Sequence, residues 1–219
     1  MRNHISNSFS AAKRIIQIYL FFLILVAYTL DTNPPEASDD HILNIVKRAK
    51  EGDDDSFATL FELYYLPICR HLYRMVGNEE DAHDLAAEAF TRAWYRLPRI
   101  HDEKNFRRWL YKIATNVALD FIRWKSTQKR GSQPAVSLSE DYANEHAARF
   151  EDQVEEQELL KLALEEVSPK PRACFLLYEE GLSQEEIAEI MGMRKKSVGT
   201  YISIAREQLR KAYNRLKNL

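Results

Sequence analysis

Residues 78–98 read Asn-Glu-Glu-Asp-Ala-His-Asp-Leu-Ala-Ala-Glu-Ala-Phe-Thr-Arg-Ala-Trp-Tyr-Arg-Leu-Pro, and this stretch decides the fold. Leu85, Ala86, Ala89, Phe90, Ala93, Trp94 and Leu97 recur at steps of one and three. That is the buried stripe of an amphipathic helix, kept for more than three turns. Asn78 stands where an N-cap belongs, and Glu79, Glu80 and Asp81 fill the first turn, where the helix dipole favours anions. Pro98 ends the helix. Asp84, Glu88 and Arg92 follow one another at four-residue steps off the stripe.

The same period extends in both directions. Upstream, Phe57, Leu60, Phe61, Tyr64, Tyr65, Ile68, Leu72 and Met75 form another stripe, with Pro67 predicting a kink or a break and Gly77 a stop. Downstream, Ile100–Lys104 is a short polar loop. Phe106, Trp109, Leu110, Ile113, Ala114, Val117 and Phe121 then mark a long helix. Trp94 and Trp109 lie on apolar stripes and read as core, whereas Tyr111 and Trp124 are left open between core and surface. No stretch alternates with period two, so the class is all-α, in two small helical domains. The periodicity lapses from Ser126 to about Asp152, where Gly131, Pro134, serines and acids read as a flexible acidic linker. The expected organisation is an extension over 1–40, a domain over 41–125, the linker over 126–153 and a second domain over 154–219. The second is small enough that its core is thin.

Composition narrows the class. The chain has 219 residues and a net charge of -2, with only 6 glycines and 7 prolines, against a turn-rich β-protein or a disordered chain. Cys69 and Cys174 make no disulfide framework and have no zinc spacing. The charge is segregated. Ten bases lie between Arg96 and Arg130 against Asp102, Glu103 and Asp120, and from Arg194 to the end Glu207 is the lone acid. Between these two basic segments Arg149 is the sole base of residues 131–160. Two basic segments around an acidic one suit two surfaces for a polyanion, or else solvated helix faces.

Ile15–Leu30 is apolar apart from Gln17, Tyr19, Tyr28 and Thr29, and follows Lys13 and Arg14. It resembles a signal-peptide core or a short membrane anchor. A spanning helix takes about 20 apolar residues, and no small-x-small cleavage site follows. A dispensable extension translated from a wrongly assigned start is the other reading. The remaining sequence argues for the cytoplasm, with membrane contact through residues 15–30 the less favoured alternative.

Near the C-terminus, Ser183 and Glu186 form a capping box, Ile187, Ala188, Ile190 and Met191 an apolar face, and Gly192 a left-handed stop. Val198, Tyr201, Ile202, Ala205, Leu209, Ala212 and Leu216 mark a final long helix. This is a helix-turn-helix pattern, whose second helix enters the major groove by its N-terminal end. That end carries Arg194, Lys195, Lys196, Ser197, Gly199, Thr200 and, one turn on, Ser203. Cations at a helix start oppose its dipole, a conflict that a phosphate backbone removes.

The stretch from Asp81 to Pro98, and Phe106-Arg-Arg-Trp-Leu-Tyr-Lys-Ile-Ala-Thr-Asn-Val-Ala-Leu-Asp-Phe-Ile-Arg after it, resemble region two of bacterial sigma factors of the extracytoplasmic-function group. Gly181-Leu-Ser-Gln-Glu-Glu-Ile-Ala-Glu-Ile-Met-Gly resembles their region four. The resemblance covers about residues 41–125 and 155–215. It implies a protein that binds core RNA polymerase, melts the minus-ten element of promoter DNA with region two and reads the minus-thirty-five element with region four. An anti-sigma factor is the further partner that restrains many members.

The resemblance also assigns residues. Asp81, Asp84, Glu88 and Arg92 fall on the face that docks on polymerase. Arg96, Arg99, Lys104, Asn105, Arg107, Arg108, Lys112 and Asn116 fall on the single-strand surface, with residues 100–105 as its specificity loop. Arg194, Lys195, Lys196, Ser197, Gly199, Thr200 and Ser203 fall on the minus-thirty-five reader. There are departures. His83 and Ala87 replace a usual Glu and Gln, and Gly199-Thr200-Tyr201 replaces a usual Lys-Ser-Arg. Two other readings remain: a helix-turn-helix regulator that does not bind polymerase, and a membrane-anchored signalling protein. An enzyme is not expected, nor any cofactor or metal, because the six histidines are scattered and no nucleophile–base pair or phosphate loop appears.

Overall fold

The computed structural model describes residues 39–131 and 151–218. The apolar stretch 15–30 and the middle of the expected linker lie outside the described residues. Among these residues every element is helical and none is a strand. The chain divides into two compact units, 1–66 and 67–219.

In the first unit, α1 (Asp39–Lys50) leads through a turn to α2 (Asp54–Val76). The turn is closed by Asp53. Its carboxylate accepts from the backbone N–H of Asp55 at 3.1 Å and from Ser56 Oγ at 2.8 Å, and pairs with Arg48 at 2.6 Å. The Ser56 hydroxyl, more than any other group, holds the Asp53 carboxyl below its usual range. Ile45, Val46 and Ala49 of α1 and Phe57, Leu60, Phe61, Tyr64 and Tyr65 of α2 are buried. Of the kink or break expected at Pro67, the break does not occur, since α2 runs through it to Val76.

In the second unit, Gly77 ends α2 with φ of 78°. α3 (Glu79–Arg96) starts at Asn78, whose side chain accepts from the N–H of Asp81 at 2.8 Å, as the sequence predicts. Leu85, Ala86, Ala89, Phe90, Ala93 and Leu97 are buried. Full burial of a side chain such as Phe90 stabilises by about 1.5–3 kcal/mol. Two 3-10 turns, Leu97–Arg99 and Glu103–Asn105, occupy the expected loop and deliver the chain into α4 (Phe106–Gly131). α3 packs along α4.

Two expectations about aromatic residues are corrected here. Trp94 and Trp109 sit at the edges of their stripes and are half-buried instead of core. The open cases resolve oppositely: Tyr111 is buried, whereas Trp124 is 55% exposed. The helix also outlasts its apolar stripe. α4 continues past Ser126 to Gly131, and the next helix already starts at Glu151. Ser126 and Thr127 turn their hydroxyls back to the carbonyls of Arg123 and Trp124, which keeps the backbone helical after burial has ended.

The second unit also holds α5 (Glu151–Glu165), α6 (Pro169–Glu179), α7 (Gln184–Met191) and α8 (Lys195–Lys217). α5, α6 and α7 all pack on α8, and α4 lies against α6 and α7. Arg172, only 7% exposed, is the polar centre of this region. Its guanidinium donates to the carbonyls of Met75 (2.7 Å), Glu165 (2.5 Å) and Val167 (2.8 Å).

Candidate nucleic-acid interface

Three groups of residues define the site. On α3, Asp84 and Glu88 are exposed, and Arg92 pairs with Glu88 at 2.5 Å. Asp81 stands apart from them, because Lys125 of α4 reaches it at 2.8 Å. The four-residue spacing therefore gives an acid–acid–base row, its two acids exposed and Arg92 half-buried, with Asp81 at its margin. His83, on the same helix, lies 3.3 Å from Cys69 Sγ through Nδ1.

The second group surrounds the start of α4. Arg96, Arg99, Lys104, Arg107, Lys112 and Asn116 are exposed. Arg108, Lys112 and Asn116 follow at four-residue steps and so share one helix face. Asn105 donates to Asp102 at 2.5 Å, which ties the loop over residues 100–105 to itself. Arg108 is half-buried, 3.6 Å from Asp102 and 2.8 Å from Glu189 of α7. Arg107 donates to the backbone carbonyl of Glu180 and lies 5.5 Å over the Tyr111 ring. The Tyr111 hydroxyl donates to the Glu180 carboxylate at 2.8 Å. Burial, seconded by that carboxylate, pushes the Tyr111 phenol well above its ordinary pKa.

The third group is the helix-turn-helix. The capping box forms as expected: Ser183 Oγ accepts from the N–H of Glu186, and the Glu186 carboxylate accepts from the N–H of Ser183 at 2.8 Å. That backbone bond is the main reason the Glu186 carboxyl lies below its usual range. Gly192 closes α7 in the left-handed region with φ of 61°. Arg194 stands at the N-cap of α8 and makes no side-chain capping bond. Val198, Ile202 and Ala205 face the core, which leaves Arg194, Lys195, Lys196, Thr200 and Ser203 exposed and Ser197 and Gly199 half-buried. Lys195 pairs with Glu185 across the turn, which offsets part of the charge at the helix start.

Gly199 has room for a side chain. A Cβ there would meet only the Gln184 amide, at 3.8 Å, and its backbone is ordinary helix. Gly199→Ala is therefore expected to stabilise the chain by about 0.5–1 kcal/mol. Denaturant midpoints check this, and a destabilised variant would show that the site needs its bare backbone for folding.

Sequence reasoning missed the acids Glu180 and Glu189 as partners of Arg107, Arg108 and Tyr111, and it missed Arg172. A signal for Arg172 was present: one base precedes the apolar run Ala173-Cys174-Phe175-Leu176-Leu177.

Comparison with known proteins adds the family. The model of Sigma-70 region 2 matches residues 60–127, and that of Sigma-70 region 4 matches residues 157–209. The ECF RNA polymerase sigma factor SigW of Bacillus subtilis (strain 168) is 34% identical over 176 residues, which covers 76% of this chain and 93% of that relative. The ECF RNA polymerase sigma factor SigE of Mycolicibacterium smegmatis is 36% identical over 152 residues, 65% of this chain and 56% of that protein. The solved structure of CnrH in complex with the cytosolic domain of CnrY has the same fold. It is 22% identical, with a TM-score of 0.57, and the match covers 79% of this chain and 97% of that one.

Proposed function

Because this chain belongs to the RNA polymerase sigma factors of the extracytoplasmic-function group, we propose roles for its three groups of exposed residues. The chain binds core RNA polymerase and directs promoter-specific transcription initiation. Residues 41–125 form the region-two domain and residues 154–219 the region-four domain. In the first, the row Asp84, Glu88, Arg92 docks on polymerase, with Asp81 at its edge. Arg96, Arg99, Lys104, Arg107, Arg108 and Lys112 track the phosphates of the melted minus-ten strand, while Asn105 and Asn116 offer amides to an extruded base. In the second, Lys195 and Lys196 contact phosphates. Thr200 and Ser203, exposed on α8, and the half-buried Ser197 and Gly199 beside them lie nearest the base edges of the minus-thirty-five element. An anti-sigma factor is a further partner in this reading. Its work on the promoter places the chain in the cytoplasm.

The observation that carries the polymerase-docking role is the exposure of Asp84 and Glu88 on a helix that buries Leu85, Ala86, Ala89, Phe90 and Ala93. Neither acid is needed for folding: the pair that Glu88 makes with Arg92 contributes about 0.3–0.5 kcal/mol. Asp84→Lys with Glu88→Lys is expected to weaken binding to core polymerase ten-fold or more, since like charges across an interface cost several kcal/mol. The unfolding free energy should shift by less than about 0.5 kcal/mol. Titration of core enzyme with labelled chain, beside denaturant melts, measures both. Undiminished core binding would remove these residues from the interface.

A further inference from the structure

We propose that Cys69 is an imidazole-activated thiol that hydrogen peroxide oxidises to a sulfenic acid, and that this oxidation loosens the docking of α3 on polymerase. The effect on polymerase rests on the role given to Asp84 and Glu88; the thiol chemistry does not.

Three side chains stand in line where α2 meets the start of α3. Cys69, in the last third of α2, has its Sγ 3.3 Å from His83 Nδ1. On the other side of the ring, His83 Nε2 lies 3.8 Å from Glu79 Oε1, one helical turn earlier. A nucleophile within reach of a base, with a third group facing that base, is the arrangement that activates a weak nucleophile. A free thiol with a pKa of about 8.5 is only roughly 3% thiolate at pH 7. The imidazole beside Cys69 takes up the thiol proton, and the Glu79 carboxylate favours the imidazolium that results. Among the described residues no group of three His, Cys, Asp or Glu side chains is placed to hold a metal ion, so the pair reads as nucleophile and base and not as a ligand set.

The two cysteines of the chain differ in what oxidation requires. Cys69 keeps 8% of its surface exposed and its partner His83 is half-buried, whereas Cys174 is fully buried. Burial pushes the Cys174 thiol up to about 11. Oxidation follows thiolate character and access, and both single out Cys69. His83 stands where the resemblance implies a Glu, so the pair belongs to this chain and not to its family's pattern.

The step balances without a further reactant. The Cys69 thiolate attacks one peroxide oxygen, the S–O bond forms as the O–O bond breaks, and the departing hydroxide takes the proton held by His83 and leaves as water. Sulfur loses two electrons and the peroxide gains them. The new oxygen has little room, since Sγ also lies 4.0 Å from the Ala82 carbonyl. Interiors are close-packed, so an added atom displaces its neighbours. Those neighbours are His83 and the first turn of α3, and Asp84 is the next residue. The docking row is therefore disturbed at its first acid. A thiol reductant reverses the change.

The test treats the full chain with about one equivalent of hydrogen peroxide beside dimedone, which traps sulfenic acids, and locates the adduct by peptide mass spectrometry. Cys69 is expected to be labelled and Cys174 not. His83→Gln should slow the labelling ten-fold or more. Peroxide without dimedone should weaken binding to core polymerase five-fold or more, and dithiothreitol should restore it. Cys69→Ser should bind core polymerase equally before and after peroxide, which separates this effect from methionine oxidation. Label on Cys174 in His83→Gln would report an unfolded variant, and the contrast between the two cysteines of the unaltered chain then decides the matter. An unlabelled Cys69, equal labelling of both cysteines in the unaltered chain, or an unchanged rate in a folded His83→Gln overturns the proposal. If the oxidised chain binds polymerase as before while Asp84→Lys with Glu88→Lys does not, the switch is wrong and the docking role stands. If neither change weakens binding, the docking role itself fails.

Discussion

Replacing Arg172 by alanine should destabilise the second unit by about 3 kcal/mol or more, a large share of what holds a domain together. The guanidinium is buried and donates to carbonyls at three places: the end of α2 (Met75), the end of α5 (Glu165) and the turn before α6 (Val167). Helix ends leave carbonyls without intrahelical donors, and burial denies them water. One planar group with a fixed fork of donors serves all three. A truncated side chain removes the charge-assisted bonds, each worth about 1.5–3 kcal/mol net, and leaves the acceptors buried. Arg172→Lys should recover little, because an ammonium at the end of a flexible stem cannot reach the three carbonyls in one plane. Arg172→Met tests whether packing alone suffices. Guanidinium unfolding followed by far-ultraviolet circular dichroism gives the comparison. A loss under about 1 kcal/mol for alanine would mean that water satisfies these carbonyls and that the arginine is dispensable.

Helix positions, caps and exposed faces were legible in the sequence because they depend on neighbours a few residues apart. Asn78 three positions before Asp81, Ser183 three before Glu186, and the 1-3 rhythm from Leu85 to Leu97 each encode a local geometry, and each forms as read except at Trp94. Where periodicity misled, the cause was equally physical. Trp94 and Trp109 lie on apolar stripes, yet an indole is too large to be enclosed at a stripe's edge. Ser126 marked the end of burial but not of the helix, because a helix persists without an apolar face where good helix formers such as Lys125 and Lys129 remain. Pro67 lacks one N–H but the remaining bonds of a 23-residue helix carry it through. What stayed hidden was tertiary. Nothing in the spacing of Glu180 or Glu189 points to arginines some seventy to eighty positions earlier, and charge segregation alone reads those acids as a solvated face. The roles of the exposed residues came from the family resemblance; the structure contributed which of them are presented together and which are already engaged.

Lowering the pH from 6.5 to 5 should cost the second unit about 2 kcal/mol through His71 alone. The ring is fully buried, with Nε2 3.0 Å from the Thr115 hydroxyl and an edge-on contact to Tyr111 at 5.2 Å between centroids. Its Nδ1 has no hydrogen-bond partner among the described residues. Burial, with Arg74 as a lesser cause, pushes the pKa of the folded chain down to about 3. The unfolded chain titrates near 6.5. Above that value both states hold a neutral ring and the site is silent. Below it the unfolded state takes up a proton that the folded state refuses. Stability therefore falls as pH falls, by up to about 1.4 kcal/mol per unit, until the folded-state pKa is reached. Asp53, Glu185, Glu186 and Glu207, whose pKa values are lowered in the folded chain, lose their contributions mainly below pH 5, as pH falls through the ordinary carboxylate range. The double change His71→Leu with Thr115→Val removes donor and acceptor together, which leaves no orphaned hydroxyl and is nearly neutral at pH 7. Its unfolding free energy should be about 2 kcal/mol less sensitive to pH over that range than that of the unaltered chain. Denaturant titrations at four pH values decide it, and equal slopes in the two proteins would show that His71 is hydrated or protonated in the folded state after all.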